Sequence, residues 1–154
     1  MAADSGSVIT PELVVLDLIA TDRKDATRQL AERLADAGRV TDLEGFLADV
    51  AAREEQMPTG IEGGIGIPHA RSAHVTQATL GFARSATGVD YGAPDGPAHL
   101  IFLIAAPDGG GSEHMTILAK LARKLVHASF KQSLLSAASA SDVASIVNSE
   151  VMGR

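Results

Sequence analysis

Residues 100–106 read LIFLIAA, the longest uninterrupted apolar run in the chain. A strand that is apolar on both of its faces is expected at the centre of a sheet that is covered on both sides. The run is also far too short for a membrane-spanning helix, which needs about 20 apolar residues. It therefore predicts the central strand of a layered domain and not a transmembrane segment.

Helix-like and strand-like stretches alternate on either side of this run. Short strands are predicted in residues 10–18 (TPELVVLDL), 63–69 (GGIGIPH) and 78–85 (ATLGFARS). Helices are predicted at 22–38 and 41–54, after the glycine-rich segment 108–114, and from Ser139 or Ser141 onward. The pattern predicts an α/β fold: one layered domain with a mixed, mostly parallel β-sheet flanked by α-helices on both faces.

The ends of the first two helices are predicted by their capping residues. Asp22 can cap the start of the first helix, and Gly38 stands where a C-terminal glycine is favoured. Thr41 and Glu44 have the spacing of a capping box at the start of the second helix. We expect that helix to end at residues 53–54.

Composition limits the classes of function that the chain can have. It has 154 residues, of which 45% are hydrophobic and only 3% aromatic, which suits one globular domain with an aliphatic core. The net charge is −6, and without a dense Lys/Arg cluster a nucleic-acid partner is not expected. No cysteine is present, so disulfides, thiolate nucleophiles and cysteine zinc sites are excluded.

The N-terminal sequence MAADSGS shows no signal-peptide pattern. We therefore expect a cytoplasmic protein without direct membrane insertion. Residues 1–8 are predicted to be a flexible tail, and residues 9–154 the folded domain.

The familiar nucleotide-binding and hydrolase motifs are absent. No Gly-x-x-x-x-Gly-Lys-Ser/Thr loop occurs, and Gly64-x-Gly66 lacks the third glycine of a dinucleotide fingerprint because position 69 is histidine. No Gly-x-Ser-x-Gly elbow supports a serine hydrolase. The chemistry must be sought among other residues.

The segment 63–71, GGIGIPHAR, ends a strand-like alternation at a histidine. Pro68 holds Ile67 in an extended conformation and lacks a backbone donor, so the strand is expected to end or bulge there. His69 is then placed at a sheet edge or at the carboxyl end of a strand, where α/β sheets bind ligands. Taken alone, the segment also fits a strand-terminal histidine that makes one structural hydrogen bond.

Four further histidines are distributed along the chain. His114 lies in the first turn of the predicted third helix, where the helix dipole favours an anion. It is either a donor to a phosphoryl or carboxylate group or a surface capping residue. His74 and His127 are expected at the surface, and His99 in a structural role. A metal site of His69, His74 and His114 is conceivable, but no carboxylate is helpfully spaced beside them.

Arg53 is predicted at the C-terminal end of the second helix, and Thr59 follows shortly after. The helix dipole alone favours an arginine there. The planar guanidinium also fits phosphate oxygens, which leaves a binding role open.

Three blocks of sequence together resemble the fructose/mannitol-type IIA domain of the bacterial phosphoenolpyruvate-dependent sugar phosphotransferase system. They are ARE…TGIEGGIGIPHARSAHV, GVDYGAPDGPAHLIFLIAAP and HMTILAKLARKL. The resemblance extends from about residue 18 to about residue 147 and is closest to fructose-specific members. The nitrogen-regulatory branch shares the histidine block but resembles the middle section less.

The resemblance implies a phosphotransferase, or phosphocarrier, with a phosphohistidine intermediate. His69 would accept a phosphoryl group on Nε2 from HPr and pass it to a cysteine of a separate IIB domain of a sugar permease, for the uptake of a sugar such as fructose. His114 and Arg53 would stabilise the phosphoryl group, and Thr59 matches a further active-site position. No cofactor and no metal are implied. The alternative is a regulatory protein of the nitrogen type, phosphorylated on the same histidine and acting by protein binding.

Two positions depart from the pattern of the family. Gly66 stands where alanine is usual, and Met115 where leucine is common. Neither change removes a chemical group, and Gly66 is expected to loosen the strand that leads to His69.

Overall fold

The computed structural model describes residues 8–56, 59–108 and 113–151. Five α-helices are described: α1 (Arg23–Asp36), α2 (Leu43–Gln56), α3 (Glu113–Leu125), α4 (Ala128–Ser136) and α5 (Ala140–Glu150). The strands are β1 (Val14–Val15), β2 (Gly60–Ile61), β3 (Ile65–Gly66), β4 (His69–Ser72), β5 (Thr79–Val89) and β6 (Ala98–Pro107). A 3-10 turn, Pro11–Leu13, precedes β1.

The six strands form one mixed sheet in the order β1-β5-β6-β3-β2, and β4 also pairs with β6. The pairs β1–β5, β3–β6 and β4–β6 are parallel, whereas β2–β3 and β5–β6 are antiparallel. The run at residues 100–106 lies in β6, at the centre of the sheet and entirely buried. The predicted central strand and the mixed, mostly parallel sheet are therefore confirmed.

Helices cover both faces of this sheet, as predicted. Successive side chains of a strand point to opposite faces, and β6 follows this rule. Phe102 and Ile104 belong to the buried cluster that contains residues of α3, α4 and α5. Ile101 and Leu103 belong to the cluster on the opposite face, which contains residues of α1 and α2. No helix in the described part of the chain is long and apolar enough to cross a membrane.

The first helix begins and ends where its capping residues predict. The side chain of Asp22 accepts the N–H of Asp25 at 2.8 Å. Gly38 follows the helix with a φ of 78°, a left-handed conformation that glycine adopts without a steric penalty. Ser139 caps α5 in the same way as Asp22 caps α1, whereas helix α4 was not predicted from the sequence.

The predicted capping box at the second helix is wrong. Asp42 caps α2 instead, because its carboxylate accepts the N–H three residues further along, at 3.1 Å. The Thr41 hydroxyl donates to the carbonyl of His74, and Glu44 forms a bidentate pair with Arg28 of α1. Thr41 and Glu44, which the spacing predicted to bond to the start of the helix, are thus bonded to residues far away in the sequence. The helix also continues to Gln56, beyond the expected end.

The predicted N-terminal tail lies mostly outside the described residues. Its last residue, Val8, packs against the buried cluster below α3 to α5. The Val8 carbonyl also accepts the backbone N–H of Leu80 at 2.6 Å. The chain therefore contacts the start of β5 before it reaches β1.

Pro68 interrupts a strand and does not end it. Residues 65–66 and 69–72 form two short strands, β3 and β4, which both run parallel to β6. Between them, the N–H of Ile67 donates to the carbonyl of Thr59, and the carbonyl of Pro68 accepts the N–H of Ile104. The chain thus stays beside β6, and His69 opens the second strand where we expected it to follow the end of the first.

Gly66 lies directly against the ring of Tyr91. A Cβ atom at position 66 would lie 2.7 Å from Cδ2 and 2.8 Å from Cγ of that ring. Tyr91 is 1% exposed, and its hydroxyl shares a hydrogen bond with Thr27. The buried ring occupies the space of an alanine side chain, so Gly66 is explained by packing and not by a looser strand.

We predict that Gly66→Ala lowers the free energy of unfolding by about 1–3 kcal/mol, the usual cost of overpacking a core. The loss should be smaller in a Tyr91→Ala background, because the ring that the methyl group meets is then absent. Denaturant unfolding of the four proteins of this cycle measures both values. An equal loss in both backgrounds would contradict the packing explanation.

Tyr91 should remain protonated at a pH where an exposed tyrosine ionises. Burial raises the pKa of Tyr91, while the hydrogen bond with Thr27 lowers it to a smaller extent. The folded state therefore gains stability from neutral Tyr91 below the pKa of an unfolded tyrosine, about 10, and loses it as the pH rises above that value.

This is the one tyrosine of the chain, so the ultraviolet absorbance of tyrosinate reports on it alone. We expect tyrosinate to appear in the native protein only at a more alkaline pH than in a urea-unfolded control. Ionisation near pH 10 in protein that is still folded by circular dichroism would refute the burial argument.

Candidate functional site

His69 is the first residue of β4, which pairs with β6, and its side chain is half-buried. The ring nitrogen Nδ1 lies 2.9 Å from the backbone carbonyl of Ile67. A carbonyl can only accept, so Nδ1 must carry the proton in this contact. Nε2 is then the nitrogen with the free lone pair, and no described residue is hydrogen-bonded to it. In the neutral imidazole, this contact selects the tautomer in which Nε2 is the available nucleophile.

The imidazole lies on the face of the sheet that α3 covers. His69 pairs with Ile104, which belongs to the cluster on that face, while the next residue, Ala70, belongs to the cluster on the opposite face. His114 is the second residue of α3, as the sequence predicts. Ile117, one turn further along, packs in the same cluster as Ile104. The free N–H groups at the start of α3 therefore lie on the face to which His69 belongs.

Arg53 approaches the same edge from the other face. Its helix, α2, is aligned along β4 by two contacts. Near its middle, Asp49 accepts a hydrogen bond from the Ser72 hydroxyl at 2.6 Å. Beyond its end, the Thr59 carbonyl accepts the N–H of Ile67 at 3.1 Å.

This alignment places Arg53 between the two contacts. Arg53 follows Asp49 by four residues and therefore lies on the same side of the helix. It is half-buried, and its guanidinium has no hydrogen bond or ion pair with the described residues. The contacts of α2 on either side of Arg53 thus place this residue alongside β4, the strand that His69 opens.

Thr59 is hydrogen-bonded to Ile67 through its carbonyl, and its hydroxyl is engaged by Glu54. It is 9% exposed, and its Oγ1 donates to the carboxylate of Glu54 at 2.7 Å. The same carboxylate accepts the Thr59 N–H at 2.9 Å. A direct contact between this hydroxyl and a phosphoryl group would require both groups to rearrange.

The other histidines lie apart from this edge. His74 packs against Gly45 at the start of α2, and its Nδ1 is 3.9 Å from the Asp42 carboxylate. His99 contacts the Ser85 carbonyl through Nδ1 at 2.8 Å, and His127 is the exposed residue that precedes α4. The described residues contain no group of three side chains that could hold a metal. His74 lies at the start of α2, beside Gly45, whereas Ile67, two residues before His69, is bonded to Thr59 beyond the end of the same helix.

Glu54 was not singled out from the sequence, although it follows Arg53 in the ARE block. Its carboxylate accepts three hydrogen bonds, the third from Arg23 at 3.2 Å. A glutamate at a helix C-terminus is disfavoured by the helix dipole. This unfavourable position in the helix was the one feature of the sequence that could have indicated stabilising partners for Glu54 outside α2.

Comparison with known proteins identifies the family. The sequence matches the family described as "Phosphoenolpyruvate-dependent sugar phosphotransferase system, EIIA 2" over residues 7–150. The chain belongs to this family, whose EIIA components are phosphotransferases, and the resemblance found in the sequence is confirmed.

Individual relatives agree with this assignment. The "PTS system fructose-specific EIIA component" of Haloferax volcanii is 41% identical over 92% of this chain and 93% of its own length. The "PTS system fructose-specific EIIABC component" of Bacillus subtilis is 34% identical over 92% of this chain, which spans 22% of that longer protein. The crystal structure of the nitrogen regulatory protein IIA-Ntr from Neisseria meningitidis superposes with a TM-score of 0.78 at 32% identity, covering 93% of this chain and 98% of that one.

We predict that Arg53→Met slows phosphoryl transfer by about 10²–10³-fold, the usual cost of losing one group that stabilises a transition-state charge. Its free energy of unfolding should fall by less than about 1 kcal/mol, because only the interaction with the helix dipole is lost. Rapid-quench labelling and thermal unfolding measure the two effects.

Arg33→Met is the matched control. Arg33 is also in the last turn of its helix, α1, but it is exposed. It should retain the wild-type rate. Equal rates for the two variants would remove Arg53 from the site.

Proposed function

We propose that this protein carries a phosphoryl group on Nε2 of His69, between HPr and the cysteine of a separate IIB domain, for the uptake of fructose. The observation that carries the proposal is the 2.9 Å contact of Nδ1 with the Ile67 carbonyl. It fixes the tautomer in which Nε2 is the nucleophile. Membership of the EIIA 2 family supplies the class of reaction.

The transfer is balanced without a cofactor or a metal. The lone pair of Nε2 attacks phosphorus as the P–N bond to the imidazole of the donor breaks, and that imidazole recovers its electron pair. In the second step a thiolate of the acceptor forms the S–P bond, and the electron pair of the breaking N–P bond returns to Nε2. Throughout both steps the proton stays covalently bound to Nδ1, which donates it in a hydrogen bond to the Ile67 carbonyl.

Donors from both faces of the sheet would stabilise the negative charge on the transferred phosphoryl group. Phosphoryl transfer passes through a loose, in-line transition state, so the protein mainly positions and stabilises charge. Arg53 would supply a guanidinium from α2, and His114 with the first N–H groups of α3 would supply donors from the other side. Thr59 would act through its backbone and through Glu54, since its hydroxyl is already engaged.

The similarity to fructose-specific relatives supports the sugar. The name of the Bacillus subtilis relative, an EIIABC component, places A, B and C parts in one chain, which supports a IIB domain as the acceptor. A cytoplasmic location belongs to this proposal, because HPr and the IIB domain would be met there.

A regulatory role is the second candidate function. It is favoured by the structural likeness to the nitrogen regulatory protein of Neisseria meningitidis. The fructose-specific relative from Haloferax volcanii is the more similar in sequence, at 41% against 32% identity. Transfer from the phosphorylated protein to the IIB domain of a fructose-specific permease would decide between the two roles.

We expect radiolabelled phospho-HPr to transfer one acid-labile phosphoryl group to the wild-type protein and none to His69→Ala. His114→Ala should be labelled more slowly, because the attacking nitrogen is retained while a charge-stabilising donor is lost.

His74→Ala serves as the control, since it removes a histidine that lies near the opposite end of α2. It should be labelled at the wild-type rate. Full labelling of His69→Ala, or no labelling of the wild-type protein, would contradict the proposed function.

A further inference from the structure

A continuous series of hydrogen bonds connects the carboxylate of Glu54 to the imidazole of His69. We propose that Glu54 is a positioning residue for phosphoryl transfer, which acts through Thr59 and the backbone of Ile67 to hold His69 in its reactive tautomer. The inference rests on the proposed function of His69 and adds a residue that does not itself touch the phosphoryl group.

The groups hydrogen-bonded to Glu54 in the described part of the chain are all donors. Its carboxylate accepts from the Thr59 N–H at 2.9 Å, from the Thr59 hydroxyl at 2.7 Å and from Nη1 of Arg23 at 3.2 Å. Its side chain is 13% exposed. An ionised carboxylate is the one acidic side-chain form that can accept all of these bonds, and such charge-assisted bonds are about twice as strong as neutral ones. The carboxylate therefore fixes both the backbone and the side chain of Thr59.

Thr59 transmits this constraint to the residue on which the tautomer depends. Its carbonyl accepts the N–H of Ile67 at 3.1 Å. The carbonyl of the same Ile67 accepts Nδ1–H of His69 at 2.9 Å. Ile67 precedes a proline and is therefore confined to extended conformations. Fixing its N–H thus also limits where its carbonyl can point.

The other end of the series is anchored in a different part of the fold. Arg23, at the start of α1, donates through Nε to the Asp90 carbonyl at 2.9 Å. Its guanidinium carbon lies 5.9 Å from the centre of the Tyr91 ring. Glu54 thus faces a cation that is already held in place from the far side. If Glu54 moves, we therefore expect the position of His69 to change more than the position of α1.

Glu54→Gln is the direct test. Glutamine preserves the shape, but its amide would point at least one N–H at groups that are themselves donors. We expect the rate at saturating phospho-HPr to fall about 10- to 100-fold, as for groups that orient a metal-bound histidine. The concentration of phospho-HPr at half the maximal rate should not change, because Glu54 does not contact the donor.

A second measurement separates positioning from general stability. Long-range ¹H–¹⁵N spectra distinguish the two neutral tautomers of a histidine. In the wild-type protein we expect His69 to be protonated at Nδ1, and in Glu54→Gln to show a mixture with the Nε2 tautomer. Glu55→Gln is the matched control: it removes the same charge from the next, exposed position and should leave both the rate and the spectrum as in the wild type.

Substitutions of Thr59 provide an independent route should Glu54→Gln fail to fold. Thr59→Ser keeps the hydroxyl that donates to Glu54, and Thr59→Val removes it at similar size. We expect Thr59→Ser to retain more of the rate and more of the Nδ1 tautomer than Thr59→Val. Equal behaviour of this pair would overturn the proposal.

The outcomes also separate this inference from the proposed function. A folded Glu54→Gln variant with the wild-type rate and tautomer would overturn the positioning role, even with a lower thermal stability. If the wild-type protein were never phosphorylated, the proposed function would fail. The tautomer of unphosphorylated His69 in the two glutamate variants would still show whether Glu54 positions it.

Discussion

The architecture depends on the need of β6 to have all its backbone groups paired. This strand is buried on both faces, and an unpaired buried N–H or C=O is costly. On one side β5 supplies the partners over most of its length. On the other side the segment from Gly64 to Ser72 supplies them in pieces: Gly64 accepts two N–H groups, Pro68 accepts one, and β3 and β4 pair with the remainder. His69 is opposite Ile104 because of this pairing.

The interrupted edge would also let groups from both faces reach His69 in the proposed function. A residue in the middle of the sheet would be accessible from one side only. At the edge, α2 would contribute Arg53 from one face, and the start of α3 would face it from the other. The net charge of −6 would repel a free phosphate anion but attract a basic protein. A site of this kind suits a phosphoryl group that arrives attached to a protein partner.

The elements predicted correctly are those whose signals are local. The apolar run of β6, the cap of α1 and the block around His69 each depend on neighbouring residues. The errors arose where a distant partner competed with a local one. Thr41 and Glu44 have the spacing of a capping box, yet His74 and Arg28 engage them. The strand break at Pro68 was predicted as an end because its continuation depends on pairing with β6.

The sequence by itself determined the class of fold and the family, because these follow from apolar periodicity and from contiguous motifs, and the same motifs led to His69 as the proposed phosphoryl acceptor. Only the tertiary structure showed that the Ile67 carbonyl engages Nδ1 of His69 and that the carboxylate of Glu54 holds Thr59 behind it. It also showed why position 66 is a glycine. Those features depend on contacts between segments that are far apart in the chain, such as Arg23 with Glu54 and Gly66 with Tyr91. Such contacts exist only after the sheet has brought these segments together.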